Sequence, residues 1–394
     1  MPSGYKYPIP NSNGTFSSTI VDFDDVFVPQ ELFLNSNLMI WGYNVDTQLG
    51  LGDTTSRSSP VQVGTLTNWK QVSCGPQHTA CVKTDGTLWT WGFNGSGGLG
   101  LGNAVHRSSP VQVGSLTNWK QVSAGDNHTA CIKTDGTLWT WGLNTTGALG
   151  LGDATSRSSP VQVGTLTNWK QVSCANHTAC VKTDGTLWTW GNNANGQLGL
   201  GDPVHRSSPV QVGTLTNWKQ VSTVGSFATG VGRTSCVKTD GTLWTWGLNT
   251  SGQLGLGDTV NRSSPVQVGT LTNWKQVSCG QIHTACVKTD GTLWTWGSNF
   301  AGSLGLGDGV DRSSPVQVGT LTNWKQVGDS YIFTACVKTD GTLWTWGDNF
   351  GGALGLGNEV DRSSPVQVGS LTNWRQVDGG QYHIACIKSD DLPI

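Results

Sequence analysis

The sequence predicts an all-β fold: a seven-bladed β-propeller with four strands in each blade. Three observations support this prediction. The dipeptide Trp-Gly recurs seven times at spacings of 49 to 56 residues, each unit contains four short strand signals, and no segment shows helical periodicity. A period near 50 residues with four strands per unit is typical of propeller blades, which stack side by side around a central channel.

The second full unit shows the four strands in order. Strand A is predicted at "NWKQVS" (118–123) and strand B at "HTACIKT" (128–134). Strand C, "TLWTWG" (137–142), follows Asp-Gly, a dipeptide that favours a type I′ hairpin turn. Strand D, "PVQVG" (160–164), starts with proline, which suits an outer edge strand because proline has no backbone donor.

The two ends of the chain predict how the ring closes. "NLMIWG" (37–42) is a strand C with no A–B pair before it, and "NWRQVDGGQYHIACIKSDD" (373–391) is an A–B pair with no strand C after it. Together they make one blade, so we expect N- and C-terminal strands to close the ring. Residues 1–36 match no repeat and are expected to form an extended N-terminal arm, with the propeller at 37–394.

The pattern "HTACVKTDGTLWTWG", followed by a loop that ends in "LGLGD", resembles the regulator of chromosome condensation repeat. The resemblance covers residues 37–391 and implies a seven-bladed propeller closed in this way. The family includes a chromatin-binding exchange factor for a small GTPase, and also parts of ubiquitin ligases, receptors and enzyme inhibitors, so fold alone does not set function. Two departures weigh against an exchange factor: no protruding β-wedge is evident, and the arm carries the acidic segment "VDFDDVF" (21–27).

The near-identity of the blades and the arm "MPSGYKYPIP" (1–10) together resemble virion structural proteins of tailed phages that infect cyanobacteria. This resemblance implies a non-enzymatic fibre, decoration or adhesin module of the virion, synthesised in the host cytoplasm. The arm would bind other virion proteins, and the propeller would bind a host-surface glycan or protein. The alternatives are a cellular protein-binding scaffold and a GTPase exchange factor. The arm residues assigned to assembly are Tyr5, Tyr7, Phe23, Asp24, Asp25 and Phe27.

Composition weighs against several other classes of protein. Only 12% of residues are charged and the net charge is -2, whereas nucleic-acid binding calls for a basic patch or tail. No apolar run approaches the roughly 20 residues that span a bilayer. The repeated "GLGLGD" lacks the following helix that a phosphate-binding loop requires, so we expect no cofactor. Seven of the ten cysteines share one repeat position, which favours buried thiols.

Two repeated polar patterns are candidates for chemistry. Histidine begins strand B in five units, but Arg233 and Phe333 replace it in the other two, which favours a structural hydrogen bond to a neighbouring loop over a metal ring. An acid or amide precedes arginine by four residues in every C–D loop, as in Asp53 and Arg57, and seven copies favour loop bracing over catalysis. We therefore predict no catalytic residue and no metal. The histidines are His78, His128, His177, His283 and His383.

The repeats differ in three windows, which are predicted to share one face. Two of the windows lie in the C–D loop, and the third is the A–B loop. The fourth A–B loop, "TVGSFATGVG" (223–232), is the longest and is expected to cover or enter the channel. Every Phe and Tyr outside the arm lies in these windows or at their margins, and binding surfaces are enriched in aromatic residues. The alternative is unselected drift. The predicted binding residues, concentrated after residue 220, are Tyr43, Phe93, Phe227, Arg233, Phe300, Tyr331, Phe333, Phe350 and Tyr382.

Overall fold

The computed structural model describes residues 36–226 and 228–390, and these residues are almost entirely strands and short loops. The strands form seven antiparallel sheets of four strands each, so the predicted all-β, seven-bladed propeller is confirmed. We number the blades by the order of their A–B pairs along the chain. Strands A to D run from the centre of the ring outward, because residues of all seven A strands meet at the central channel.

Blades 1 to 6 each use four consecutive strands, and two short 3-10 turns occur at Phe300–Gly302 and Phe350–Gly352. The strands are, in blade 1, β3 (Trp69–Cys74), β4 (His78–Lys83), β5 (Leu88–Gly92) and β6 (Arg107–Gln112); in blade 2, β7 (Trp119–Ala124), β8 (His128–Lys133), β9 (Leu138–Gly142) and β10 (Arg157–Gln162); in blade 3, β11 (Trp169–Cys174), β12 (His177–Lys182), β13 (Leu187–Gly191) and β14 (Arg206–Gln211); in blade 4, β15 (Trp218–Ser226), β16 (Val231–Lys238), β17 (Leu243–Gly247) and β18 (Arg262–Gln267); in blade 5, β19 (Trp274–Cys279), β20 (His283–Lys288), β21 (Leu293–Gly297) and β22 (Arg312–Gln317); in blade 6, β23 (Trp324–Asp329), β24 (Phe333–Lys338), β25 (Leu343–Gly347) and β26 (Arg362–Gln367); and in blade 7, β27 (Trp374–Gly379), β28 (His383–Ser389), β1 (Ser36–Gly42) and β2 (Arg57–Gln62).

Blade 7 closes the ring with strands from both ends of the described chain. Strand β1 pairs antiparallel with β28, from Ser36 opposite Ser389 to Gly42 opposite His383. The predicted closure is therefore confirmed. The chain enters the ring at Ser36 on the face that carries the B–C hairpins and the D–A turns, which we call the hairpin face. The A–B and C–D loops lie on the opposite face, which we call the loop face.

The B–C hairpins differ from the predicted type I′ turn. In blade 1 the N–H of Gly86 donates to the carbonyl of Lys83 at 3.0 Å, and only the glycine has a positive φ, of 76°. This geometry is a type I turn followed by a left-handed glycine. The carboxylate of Asp85 accepts from the N–H and the hydroxyl of Thr87 at 2.9 and 2.7 Å, and this local bonding favours a negative φ at the aspartate.

Strand D begins before the predicted position. In blade 2 it starts at Arg157 rather than at Pro160, because Arg157 still pairs with Gly142 of strand C. The ladder is then interrupted until Val161 pairs with Thr140. Pro160 lies inside this irregular stretch of an edge strand, where its missing N–H breaks no ladder hydrogen bond.

The hydrophobic core lies between neighbouring blades rather than within one. Val82 and Leu88 of blade 1 pack against Trp119 and Trp141 of blade 2, and equivalent clusters recur around the ring. The indole N–H of Trp141 donates to the carbonyl of Gly98 in the preceding blade at 2.9 Å. All ten cysteines are buried, including the seven at the shared repeat position for which the sequence predicts burial.

A ring of glutamines joins the innermost strands. The side-chain amide of Gln71 donates to the carbonyl of Val122 in the next blade at 2.9 Å and accepts from its N–H at 2.9 Å. Every A strand donates to its neighbour in this way, and Gln376 completes the circle by donating to Val72 at 3.2 Å. We did not predict this role, although the constant glutamine of "NWKQVS" is its signal.

A second ring joins neighbouring B strands through histidine and threonine. The Nε2 atom of His78 lies 3.0 Å from the hydroxyl of Thr129 in the next blade. That hydroxyl donates to the carbonyl of Gly98 at 2.8 Å, so the histidine is the donor to the threonine. The predicted histidines therefore have a structural contact, although the partner is a strand residue rather than a loop. The other four, at 2.8 to 3.3 Å from their threonines, are His128, His177, His283 and His383.

Burial keeps most of these histidines neutral. Burial lowers the pKa of His78 to about 4. It also lowers the pKa values of His128, His177 and His383 to about 3, and a neighbouring histidine adds to the effect in each case. Uncharged imidazoles can be buried with one hydrogen bond at a modest free-energy cost.

Candidate binding face

The C–D loops of the loop face are held in one conformation by a buried asparagine. In blade 7, Asn44 accepts from the N–H of Leu49 at 2.9 Å and donates to the carbonyl of Asp53 at 2.9 Å. The motif Trp-Gly-x-Asn is the sequence signal for this residue, and we did not single it out. The seven asparagines, all at most 1% exposed, are Asn44, Asn94, Asn144, Asn193, Asn249, Asn299 and Asn349.

The predicted acid–arginine pairs brace the same loops. Arg57 contacts Asp53 at 2.6 Å, and four other blades contain the equivalent ion pair. In the remaining two blades, Asn103 and Asn358 accept weakly from their arginines at 3.5 and 3.4 Å. The backbone N–H of Thr55, and then Arg57, hold the pKa of Asp53 below its usual range. The loop face therefore presents its variable side chains on a fixed frame.

Three of the predicted binding residues form one aromatic cluster. Tyr43 and Tyr382 come from the C–D and A–B loops of blade 7, and Phe350 comes from the C–D loop of blade 6. The ring centroids are 5.4 Å apart for Tyr43 and Phe350, 6.1 Å for the two tyrosines, and 5.1 Å for Phe350 and Tyr382. Closure of the ring brings these residues together, because Tyr43 and Phe350 lie at opposite ends of the chain.

Phe350 and Phe300 occupy the same loop position in neighbouring blades. Each begins a 3-10 turn, and the next residue has a positive φ, of 52° at Ala301 and 63° at Gly351. The turns point both rings away from the core, and Phe300 is 59% and Phe350 53% exposed. Single exposed apolar side chains are ordinary, but Phe350 is contiguous with Tyr43 and Tyr382, and contiguous exposed apolar groups mark interaction surfaces.

Acidic side chains accompany these rings. Beyond the braced aspartate, the C–D loops of blades 5 and 6 carry Asp311, Asp348, Glu359 and Asp361, of which Asp311, Glu359 and Asp361 are exposed. Burial raises the pKa of Asp348, and the charge of Asp361 acts in the same direction. We define the aromatic–acidic patch as Tyr43, Phe300, Phe350 and Tyr382 together with Asp311, Asp348, Glu359 and Asp361.

Two of the predicted binding residues, Arg233 and Phe333, do not lie on the loop surface. Both are 0% exposed. Arg233 donates to the carbonyls of Gln281, Gly280 and His283 in blade 5. Their place in the predicted set is therefore corrected, because a fully buried side chain offers no atom to a partner.

Phe333 has a matched neighbour that explains its burial. It occupies the histidine position of blade 6, and Ile384 occupies the threonine position of blade 7. Both side chains are fully buried in the same apolar cluster. The polar pair found between other blades is thus replaced as a unit by an apolar pair.

Tyr331 is turned inward and lines the cavity at the loop-face end of the channel. It is 8% exposed, and its hydroxyl donates towards Asp126 of blade 2, on another part of the ring, at 3.5 Å. Burial, and then the charge of Asp126, raise the pKa of Tyr331 well above its usual value. A cavity of about 140 Å³ beneath it is lined by channel serines and by Asp378. The prediction that Tyr331 lies on the binding surface is therefore corrected as well.

The long A–B connection of blade 4 is mostly strand rather than loop. Strand β15 extends to Ser226 and strand β16 begins at Val231, so both strands of this hairpin are longer than in the other blades. Asn176 of blade 3 donates to the carbonyl of Val231 at 2.8 Å, and Gln281 of blade 5 donates to the hydroxyl of Thr229 at 2.5 Å. Its residues Val224 and Gly225 line the cavity at the channel mouth, which agrees with the expected cover.

The remaining predicted residues lie elsewhere or outside the described residues. Phe93 belongs to blade 1 and stacks on His106 with ring centroids 4.7 Å apart. Phe227 lies outside the described residues, and so does the arm through residue 35 with Tyr5, Tyr7, Phe23, Asp24, Asp25 and Phe27. Within 36–226 and 228–390, no three or more His, Cys, Asp or Glu side chains are grouped as a metal ion requires.

A closed ring of seven blades with braced loops on one face defines a propeller-type protein with a preformed loop surface. Comparison with known families then identifies it more narrowly. Residues 37–386 match the RCC1-like domain, so the chain belongs to that family.

Solved structures share this fold along nearly the whole chain. Human WBSCR16 superposes with a TM-score of 0.79 at 22% identity, covering 91% of this chain and 100% of that chain. Yeast RCC1 (Prp20), solved with Kap60, superposes with a TM-score of 0.81 at 20% identity, covering 98% of this chain and 97% of that chain. Prp20p from Saccharomyces cerevisiae, reported with its binding to Gsp1p and histones, superposes with a TM-score of 0.79 at 20% identity, covering 96% of this chain and 97% of that chain. At these identities the likeness establishes the fold only.

One curated protein shares a short segment. Ras guanine nucleotide exchange factor C of Dictyostelium discoideum is 41% identical over 58 residues, which are 14% of this chain and 4% of that protein. The chain therefore spans only a small part of that relative. Across the described ranges 36–226 and 228–390, we find no helix with the length and apolarity needed to cross a membrane.

Proposed function

We propose that this protein is a non-catalytic propeller scaffold that binds a partner protein through the aromatic–acidic patch. The observation that carries the proposal is the cluster of Tyr43, Phe350 and Tyr382, which presents a half-exposed phenylalanine on a braced loop. Rigid aromatic side chains contribute large contact areas at a small entropy cost, so a few of them can dominate an interface. Membership of the RCC1-like family supports a scaffold role.

The charges of the patch specify the partner further. An acidic rim around aromatic rings favours a protein segment that places an apolar side chain on the cluster and lysine or arginine beside it. Exposed charges act mainly on the association rate and are screened by salt, whereas the aromatic contacts act mainly on dissociation. We therefore expect tight binding at low ionic strength and a slower association at high ionic strength.

The test compares two sets of loop-face aromatic residues. The double variant Phe350→Ala/Tyr382→Ala removes the cluster, and Phe93→Ala removes an aromatic ring of the same face in blade 1. Proteins retained from an extract of the source cells by the wild-type and Phe93→Ala proteins, but not by the double variant, are candidate partners. For such a partner we expect Kd to rise at least about 30-fold in the double variant, since hot-spot truncations cost roughly 2 kcal/mol.

A charge variant checks the second half of the proposal. Glu359→Gln/Asp361→Asn keeps the shape of the loop and should lower the association rate constant at low salt with little change at high salt. Melting temperatures of all variants should stay close to that of the wild type, because the altered side chains lie in loops outside the cores between blades. Equal retention of every partner by all variants would contradict the proposal.

Nucleotide exchange on a small GTPase is a second candidate function. The observation that favours it is the short segment shared with Ras guanine nucleotide exchange factor C. Release of a fluorescent GDP analogue from Ras-type and Ran-type GTPases, with and without the purified protein, decides the matter. An acceleration that Phe350→Ala/Tyr382→Ala abolishes would place exchange on the same patch.

The virion role and the virion location remain separate predictions about residues 1–36. The similar solved structures support a cellular scaffold more than a virion component, because the partners named for them are Kap60, Gsp1p and histones. Mass spectrometry of purified particles from the source would decide this prediction. A deletion of residues 1–34 that leaves the ring folded but prevents incorporation would support it.

A further inference from the structure

A ring of basic side chains surrounds the channel at its hairpin-face end, on the opposite face from the aromatic–acidic patch. The second residue of every A strand is basic, and it directly precedes the glutamine that bonds to the next blade. Each A strand follows a D–A turn, so these residues lie at the mouth of the channel on the hairpin face. We define the basic ring as Lys70, Lys120, Lys170, Lys219, Lys275, Lys325 and Arg375.

The glutamine hydrogen bonds hold the positions of the basic ring close together. Lys70 adjoins Gln71, whose amide donates to the carbonyl of Val122 in the next blade at 2.9 Å. Because the same bond joins every pair of neighbouring A strands, the seven positive charges form one closed circle. Six of the seven side chains are exposed, and Lys219 is half-buried.

Each member of the basic ring is also the bulged residue of its A strand. In blade 1, Trp69 pairs with Lys83 and Gln71 pairs with Val82, so Lys70 is the extra residue between them. The same interruption occurs in the other six blades. Bulges are frequent at the rims of closed sheets and beside functional sites, where they re-aim a side chain.

The charges of the basic ring act on one another across blades. Partial burial, and then the charges of Arg375 and Lys275, lower the pKa of Lys325. Arg375 and Lys275 belong to the two blades that flank blade 6, so the cationic groups of three successive blades share one space. Like charges gathered in this way repel one another, and an anion placed among them removes that cost.

The basic ring receives little counter-charge from the rest of the protein. Arg375 donates from Nε to the hydroxyl of Ser389, a neutral group, at 3.0 Å. The hairpin carboxylates have other partners: hydrogen bonds to Thr137, and to a lesser extent the charge of Lys133, hold the pKa of Asp135 below its usual range. Five lysines make no ion pair or side-chain hydrogen bond with residues 36–226 and 228–390, namely Lys70, Lys120, Lys170, Lys275 and Lys325.

The positive charge is kept in all seven blades, although other repeated positions change. Blade 7 has aspartate at the channel serine position and isoleucine at the threonine position, yet it has Arg375 where the other blades have lysine. A surface position without a role is expected to lose its charge in some copies. The position of Asp53 does so, since Asn103 and Asn358 occupy it in two other blades.

The surroundings of the basic ring limit its ligand to a compact anion. Inside the ring, the channel encloses about 170 Å³ and is lined by glutamine and serine side chains, which suits an anion that rests at the mouth. Outside the ring, the B–C hairpins of blades 1 to 6 each carry an exposed aspartate, so an extended polyanion that crosses the face would meet repelling carboxylates. These residues are Asp85, Asp135, Asp184, Asp240, Asp290 and Asp340.

We propose that the basic ring binds one compact polyphosphate per chain, with phosphate groups that radiate from a small central ring. Each phosphate monoester carries about -1.5 to -2 charges and strong acceptor oxygens. The lysines would meet these groups as point charges and Arg375 as a fork of donors. A circle of one sign around a narrow channel also focuses the electric field and attracts such an anion from a distance.

Isothermal titration calorimetry of the full chain tests the proposal with inositol hexakisphosphate as the probe. We expect one bound molecule per chain, a Kd that rises with ionic strength because exposed charges are screened, and a higher melting temperature in the presence of the probe. Lys120→Gln/Lys275→Gln should raise the Kd at least about 10-fold, because two charge-assisted contacts are lost.

Three control variants separate this site from general charge, from the loop face and from misfolding. Lys120→Arg/Lys275→Arg copies the natural residue of blade 7 and should keep a Kd close to that of the wild type. Arg107→Gln/Arg362→Gln removes the same number of charges from the loop face, and Phe350→Ala/Tyr382→Ala removes the aromatic cluster; both should bind the probe as the wild type does. Without the probe, the lysine-to-glutamine variant should melt no earlier than the wild type, since the altered side chains are exposed and repel their neighbours.

Several results would overturn the proposal. One is the absence of saturable binding at physiological ionic strength, and another is a Kd that the lysine-to-glutamine variant leaves unchanged. A single-stranded DNA oligonucleotide that binds through the same lysines more tightly than inositol hexakisphosphate would assign the ring to an extended nucleic acid instead. Inorganic triphosphate should bind more weakly than the cyclic probe, and equal or tighter binding would contradict the radial arrangement of phosphates.

Discussion

Blades 1 to 3 and blades 4 to 7 share one scaffold, but the repeated residues that join neighbouring blades are retained more completely in blades 1 to 3. Each B strand of blades 1 to 3 carries the histidine that bonds to a threonine of the following blade. In the second group, Arg233 replaces one histidine, the pair Phe333 and Ile384 replaces another contact, and Gly328 and Asp378 replace two channel serines. The aromatic–acidic patch lies in the same half. The scaffold therefore changes most where the loop face has acquired distinctive side chains.

The difference between the halves shows how the ring tolerates change. A buried polar contact can be lost without a large cost when both partners change, or when the remaining partner keeps another hydrogen bond. Phe333 with Ile384 meets the first condition, since both are apolar and buried together. Arg233 meets the second condition, because the hydroxyl of Thr284 still donates to the carbonyl of Gln253 at 2.9 Å and the arginine donates to three backbone carbonyls of the next blade.

The largest expected effect concerns the closing blade, where the two ends of the chain meet. Deletion of residues 374–394 removes strands β27 and β28 and leaves β1 with an open edge. The apolar cluster around Trp41 and Trp374 would then face water, so we expect aggregation and no cooperative melting transition. Size-exclusion chromatography and circular dichroism measure this. Removal of residues 391–394 alone is the control and should leave the ring intact; a monomeric, equally heat-stable truncation at 374 would refute the closure.

Acid should destabilise the protein through its histidine ring, which is most regular in blades 1 to 3. The native pKa values of His78, His128, His177 and His383 are about 3 to 4, below the unfolded value. The unfolded chain therefore binds more protons below about pH 6.5, and stability falls as the pH falls. Each histidine should contribute a slope of about 1.4 kcal/mol per pH unit between its two pKa values. Urea unfolding at pH 7, 6, 5 and 4.5 measures the slope.

A variant that copies a feature of the second half tests which groups cause that slope. His128→Phe/Thr178→Ile transfers the natural Phe333 and Ile384 pair into blades 2 and 3. The carbonyl of Ala148 keeps the indole N–H of Trp190 as a donor at 2.9 Å, so no acceptor is orphaned. The acid slope should fall by about a quarter. An unchanged slope would show that other groups titrate.

Substitutions in the apolar pair of Phe333 and Ile384 provide a third test of the difference between the two groups of blades. Phe333→His alone places an imidazole beside Ile384, which has no hydroxyl to accept a hydrogen bond from the ring. We expect this change to lower the free energy of unfolding by about 2 kcal/mol. Adding Ile384→Thr should recover most of that loss, which gives a coupling free energy of about 1 to 2 kcal/mol in a double-mutant cycle. Additive losses would mean that the two positions do not interact.

The comparison also explains how far the sequence alone can predict this molecule. The repeat period, the Asp-Gly hairpins and the two incomplete units predict the seven blades and their closure, because these patterns depend on local chain geometry. Tyr331 and Phe350 both lie in variable windows, yet one is buried and the other is half exposed. A–B loops lie next to the channel and C–D loops lie further out, so similar residues in the two windows meet different surroundings.

Other features escaped prediction because they depend on contacts between blades. In the sequence, Phe333 lies at the margin of a variable loop, and its burial is explained only by its contact with the apolar cluster that contains Ile384 of the next blade. The basic ring gives no clear signal in the sequence, because lysine is common at surfaces and only the closed ring brings the seven positions together. The cluster of Tyr43, Phe350 and Tyr382 was within reach, since alignment of the blades around the closed ring places these positions side by side.

The smallest expected effect concerns Asp378, the single acid at a channel position that is serine in five blades. It accepts from the N–H of Cys74 in the next blade at 2.7 Å, as Ser73, Ser123, Ser173 and Ser222 accept from the blades that follow them, but burial raises its pKa to about 7. The unfolded value is about 4, so between pH 4 and 7 the native state holds the extra proton and stability falls as the pH rises. Asp378→Ser keeps an acceptor for Cys74 and removes this penalty. We expect the variant to be more stable by about 1 to 2 kcal/mol at pH 8, because channel water reduces the full effect, and to match the wild type at pH 4. Urea unfolding at both values measures the difference. A variant that is less stable at pH 8 would show that the charged carboxylate supports the closing blade, and that the departure from serine is an adaptation of the second half rather than a cost to it.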